Sequence, residues 1–162
     1  MTLTDPKDRQ DWMGQLARSA PARLAALLPD LPAHALLRGP EVGAVMVQGR
    51  IGGTGQPFNL GEMTVTRCSV RLEGGAVGHA HVQGRDKTHA LRAAVMDALL
   101  QGGADALLQG GADALLQGGA DALRAAVLVP LRAEEAAAHA LRAAKAAATK
   151  VEFFTLVRGE DA

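Results

Sequence analysis

Several residue types are scarce in this 162-residue chain, and each scarcity excludes something. There is no tyrosine, one tryptophan (Trp12) and three phenylalanines, so stacking surfaces for RNA or single-stranded DNA are poorly supplied. Cys68 is the only cysteine, which excludes an intrachain disulfide and fits a reducing compartment. Neither sign of charge is in excess: 17 Lys+Arg balance 17 Asp+Glu, which argues against a dedicated nucleic-acid or membrane-surface protein. No stretch of 18 apolar residues occurs, so no membrane span is expected. The polar opening Met-Thr-Leu-Thr-Asp lacks the hydrophobic run of a signal peptide, and a cytoplasmic protein is expected. Bulky apolar residues are also few. Leu, Val, Ile and Phe number 22, 12, 1 and 3, against 33 alanines that each bury little surface. The length suits one domain over residues 1–162, with a thin core that partner chains help to complete.

What is present divides into helical ends around a β-rich middle. Residues 9–28 carry Trp12, Leu16 and Ala20 at helical spacing, and Pro21 restarts that helix because it cannot donate to the preceding turn. Pro29 and Pro32 end it, and Gly39-Pro40 is expected to close the helical region. Val42–Ile51 reads as a strand, then comes a glycine-rich loop, then the alternating Met63–Glu73, the hairpin signal Gly74-Gly75 and a return strand Ala76–Gln83. Asp86 or Thr88 caps a following helix. A second helical stretch is expected to stop at Pro130, and Ala133–Lys150 is helical by its alanine content. Val151–Gly159 reads as a strand with apolar residues on both faces, covered either by the alanine-rich helices or by another protein. The fold class is therefore α+β: a small antiparallel sheet, made of a three-strand meander plus a C-terminal strand, with helices at the N-terminus and in the C-terminal half.

Residues 97–120 hold three copies of Asp-Ala-Leu-Leu-Gln-Gly-Gly-Ala, with a partial fourth from Asp121. Eight residues miss two full helical turns by about 80°, so the leucine pairs drift around the axis. Each Gly-Gly costs a helix roughly 2 kcal/mol relative to Ala-Ala. The segment 97–120 is therefore expected to be a mobile expansion and not a site.

Chemistry-bearing motifs are incomplete. The run Gly49-Arg50-Ile51-Gly52-Gly53-Thr54-Gly55 lacks the Lys of a phosphate-binding P-loop, and Pro57 rules out the helix that a dinucleotide fold opens there. A generic nest remains, in which the amides of Gly52, Gly53 and Gly55 beside Arg50 hold an anion; the plainer reading is a tight connection between strands. Arg67 follows Met63 and Val65 on an apolar face, so its charge needs a carboxylate or an anion. Arg85 and Lys87 sit beside the sheet as further candidates for anion contact. His79 and His81 share a strand face, but no cysteine or carboxylate completes a ligand set, and no metal site is assigned. Cys68 and Ser69 lack the setting of a nucleophile.

Arg9-Gln10-x-Trp12-Met13, the glycine loop, Thr64-Val65-Thr66-Arg67, Val82-Gln83-Gly84-Arg85-Asp86-Lys87-x-His89 and the ending Val151-Glu152-Phe153-Phe154-Thr155-Leu156-Val157-Arg158-Gly159 occur in one order along the chain. Together they resemble the PhnG family, a small subunit of the bacterial carbon–phosphorus lyase system. The octapeptides and His79-x-His81 depart from that pattern. The resemblance implies phosphonate use under phosphate starvation. It implies a place, in two copies, beside PhnI, PhnH, PhnJ and PhnL, in the synthase that displaces adenine from ATP with methylphosphonate. It implies no cofactor in this chain, with ATP as co-substrate of the complex, and it transfers no catalytic residue. Phe153, Phe154, Leu156 and Arg158 are the expected partner-facing residues. The alternative from the residues alone is a stand-alone module that binds phosphate or phosphonate.

Overall fold

The structure is a computed structural model that describes residues 6–103 and 119–151. Two N-terminal helices, α1 (Pro6–Arg18) and α2 (Pro21–Leu27), are separated where Ala20 turns extended ahead of Pro21. Trp12, Gln15 and Leu16 form the buried face of α1, and Leu24 that of α2. An antiparallel sheet follows in the order β1-β2-β3, with β1 at His34–Arg50, β2 at Pro57–Leu72 and β3 at Val77–Gln83. The α+β meander expected from the sequence is present, but β1 begins far earlier than expected. Gly39-Pro40 does not close a helical region. It lies within β1, where the register against β2 shifts between Arg38 and Glu41. A bulge admits a proline that a regular ladder would reject.

β3 pairs only with Val65–Arg71 of β2. Beyond Val65, β1 and β2 continue to Arg50↔Pro57 as a two-stranded ribbon that carries Met46, Phe58 and Leu60 exposed. On the three-stranded part, Cys68, Val70, Leu72, Ala80 and Val82 face inward against α3 (Lys87–Ala98). Asp86 caps α3, accepting the His89 amide at 2.8 Å. The alanines Ala90, Ala93, Ala94 and Ala98 are buried, so here the small side chains serve close approach. At Gly78 a Cβ would collide with the backbone of Ala94 and Ala98, which shows strand and helix meeting main chain to main chain.

A π-helical turn, Leu99–Gly103, continues α3 and buries Leu99 and Leu100. The first octapeptide copy is therefore built into the core as far as Leu100, a placement that the repeat pattern alone did not show. The reason is that Asp97, Leu99 and Leu100 continue the inward face of α3 before any glycine intervenes. Residues 104–118 lie outside the described residues, as does the expected C-terminal strand with Phe153, Phe154, Leu156 and Arg158.

A short helix α4 (Gly119–Leu123) and a second π-helical turn (Arg124–Leu128) bury Leu123, Val127 and Leu128. The long helix α5 (Val129–Ala148) follows directly. Pro130 does not stop a helix; it occupies the first turn of α5, where no amide partner is needed. Only Leu131 of α5 is buried, and every residue from Arg132 onward is exposed over about 25 Å of helix. Two surface ion pairs, Arg18–Glu135 at 2.7 Å and Arg23–Glu134 at 2.6 Å, tie its first turns to α1 and α2. No helix among the described residues is long and apolar enough to cross a membrane.

Candidate functional site

Among the described residues, the most heavily bonded side chain is the carboxylate of Asp97, which is fully buried. Its Oδ1 accepts from Arg9 Nε at 3.2 Å and from Trp12 Nε1 at 2.9 Å. Its Oδ2 accepts from Arg9 Nη2 at 2.8 Å, the His79 amide at 2.9 Å and Gln101 Nε2 at 3.0 Å. The Arg9 pKa is raised, chiefly by that hydrogen bond and further by the carboxylate's charge. Arg124 lies over the Trp12 ring, 5.6 Å from its centroid. These donors saturate the roughly four lone-pair positions of a carboxylate, leaving none for a substrate or a proton in transit. Asp97 is a clamp that joins α1, β3 and α3, and it explains why Arg9 and Trp12 stand three residues apart in the N-terminal motif. Sequence reasoning missed it. The available signal was a lone acid inside the apolar run Ala93–Leu100, which demands buried partners.

A cleft of ≈ 540 Å³ opens between the end of α1, the start of α2 and the inner side of α5. Gln15, Ser19, Gln83, His89, Glu134 and Arg142 line it. His89 Nε2 lies 2.8 Å from the Leu16 carbonyl oxygen and 3.3 Å from Ser19 Oγ. The carbonyl fixes Nε2 as the protonated nitrogen. Ser19 donates to the same carbonyl at 2.8 Å. Serine and histidine thus share an acceptor at the end of α1, and neither activates the other as a nucleophile–base pair requires. At the mouth, Arg18 holds Glu135 below its ordinary carboxylate pKa, mainly by its hydrogen bond.

The anion candidates do not converge. Arg50, Gly52, Gly53 and Gly55 form the tip of the ribbon, where Gly52 and Gly53 take left-handed conformations (φ +60° and +84°). The Gly55 amide donates to the Ile51 carbonyl at 2.8 Å and Arg50 Nη1 to the Gly55 carbonyl at 3.2 Å, so the loop is closed upon itself. Arg67 is set back in the sheet opposite Glu41 and His81. Nine residues of β1 separate Glu41 from Arg50, about 30 Å of strand, so one small ligand cannot touch both. Arg85 and Lys87 are exposed after the turn at Gly84 (φ +92°), whose carbonyl accepts from Thr66 Oγ1 at 2.8 Å.

His79 Nδ1 meets Ser69 Oγ at 2.9 Å on the exposed sheet face. Among the described residues, no group of three or more His, Cys, Asp or Glu side chains is placed to hold a metal. Cys68 is buried, its Sγ 3.5 Å from the Arg38 carbonyl oxygen, and burial pushes its thiol pKa up, which is the reverse of activation.

Comparison with known proteins supplies what this geometry does not. Residues 7–159 match the model of a family described as phosphonate metabolism protein PhnG. The α-D-ribose 1-methylphosphonate 5-triphosphate synthase subunit PhnG of Rhizobium meliloti (strain 1021) is 44% identical over 156 residues, which cover 94% of this chain and 90% of that relative. A match this long, running from the helix that carries Arg9 and Trp12 to the Arg158-Gly159 ending, establishes that the chain belongs to the PhnG family.

Proposed function

We propose that the chain is a docking subunit of an α-D-ribose 1-methylphosphonate 5-triphosphate synthase, the assembly named for its Rhizobium meliloti relative. In this reading the complex replaces adenine on the ribose of ATP with methylphosphonate, in the cytoplasm. The chain contributes surfaces and brings no cofactor of its own. Its partners are PhnI, PhnH, PhnJ and PhnL-like chains, with two copies of this subunit per complex.

One observation carries this: two elements project from a small body with their apolar side chains open. The ribbon exposes Met46, Phe58 and Leu60. In α5 the polar residues Glu134, Glu135 and Arg142 line the cleft toward the body. Helical geometry then turns Ala133, Ala136, Ala140 and Ala144 away from it, and all of these are exposed. A lone surface helix puts its apolar stripe inward, and this one does the opposite. An alanine face accepts another element at close range, and open apolar side chains on both projections suit burial by other subunits.

Co-expression of this chain with the four partner subunits, followed by size-exclusion chromatography, tests the reading. A stoichiometric complex is expected. It should weaken when Met46 and Leu60 are changed to Ser, or Ala140 and Ala144 to Glu. A chain that elutes as a well-behaved monomer, indifferent to the partners, would contradict it.

A further inference from the structure

Arg67 lies on the outer face of the sheet, half-buried, yet its Nε is fully enclosed and makes no hydrogen bond. Such a donor is costly to leave unpaired. Its same-face neighbour Glu41 does not relieve it, because Glu41 pairs with Arg38 at 3.0 Å. The opposite neighbour is His81. The guanidinium rests across β1 at Gly43, where a Cβ would stand only 3.1 Å from Nη2, so the missing side chain is what gives it room. Along the same face come Ser69 bonded to His79, then Arg71. Arg67 is thus set between Glu41, already engaged by Arg38, and His81, with the Ser69–His79 pair alongside. A purely structural arginine would be expected either to complete its hydrogen bonds inside the sheet or to extend its head wholly into water. This one does neither.

We propose that the outer sheet face around Arg67 is an oxyanion site that takes a phosphate or phosphonate group. The guanidinium lifts off Gly43, frees its enclosed Nε and presents the Nε–Nη2 edge to two oxygens of the ligand, the paired geometry for which arginine is suited. His81 and the Ser69–His79 pair flank the same position. The inference is independent of the docking role, and its failure would leave that role untouched.

The test is titration of the full-length chain with inorganic phosphate, methylphosphonate and acetate, following the ring protons of His79 and His81 by NMR. Saturable shifts are expected with phosphate and methylphosphonate and none with acetate. Arg67→Gln should weaken binding roughly tenfold or more, and Arg67→Lys, which keeps the charge without the fork, by less. Without ligand, Arg67→Gln should melt at or above the parent temperature, because the unpaired donor is gone. Flat titrations, equal responses in parent and Arg67→Gln, an equal response to acetate, or a lower melting temperature in both variants would overturn the proposal.

Discussion

The body of this chain and its two projections are built on opposite rules. In the body, even a buried carboxylate has every lone pair occupied, and alanines are spent on bringing α3 against β3. In the ribbon and in α5, the secondary structure is regular but apolar side chains face outward. A two-stranded ribbon alone is marginal in water, and α5 is held to the body by surface ion pairs worth under about 1 kcal/mol each. Regular secondary structure that projects without a core of its own is completed by what docks on it. The body supplies the rigidity and the projections supply the reach.

The sharpest way to break this contrast is at Asp97. Asp97→Asn leaves the Arg9 guanidinium without its partner charge, and a loss of about 3–5 kcal/mol is expected in urea unfolding. Glu41→Gln, the equivalent change in an exposed pair at the root of the ribbon, should cost under about 1 kcal/mol. Equal losses would erase the distinction between body and projections. Gly78→Ala should cost about 1–3 kcal/mol, because the added methyl has only the backbone of α3 to push against. Leu99→Ala, inside the first octapeptide, should cost about 3 kcal/mol in the same assay, whereas Leu60→Ala on the ribbon should stay within about 0.5 kcal/mol.

The smallest effect concerns acid. Arg18 depresses the pKa of Glu135 from its ordinary 4.5, so this pair stabilises the fold above that pH and the contribution disappears as pH falls through the lowered value. Both side chains are largely exposed, and the effect on melting should be slight and confined below pH 4.5. Glu135→Gln should flatten it.

Much of this was legible in the sequence. The break at Pro21, the meander, the turn at Gly74-Gly75 and the Asp86 cap all follow from local rules of backbone geometry and capping. Gly39-Pro40 misled because a proline at a bulge keeps its strand, and the bulge depends on pairing with β2 that no local rule reveals. Pro130 misled because proline stops a helix from within but starts one at the first turn, and the preceding π-helical turn decides which. The octapeptide repeat concealed Asp97 and Gln101: identical copies invite one reading, and the contacts of the first copy with α1 and β3 are not written in the repeat. For Arg67, the sequence showed that a charge on an apolar face needed a partner. That Glu41 would prefer Arg38 depends on the bulged register of β1.

Hydrogen–deuterium exchange of the chain, alone and within the assembled synthase, tests the division between body and projections most directly. The account predicts that residues 87–101 are protected in both states. It also predicts that residues 44–62 and 132–148 exchange fast in the free chain and become protected in the complex. Slow exchange of both projections in the free chain, or unchanged fast exchange after assembly, would contradict it.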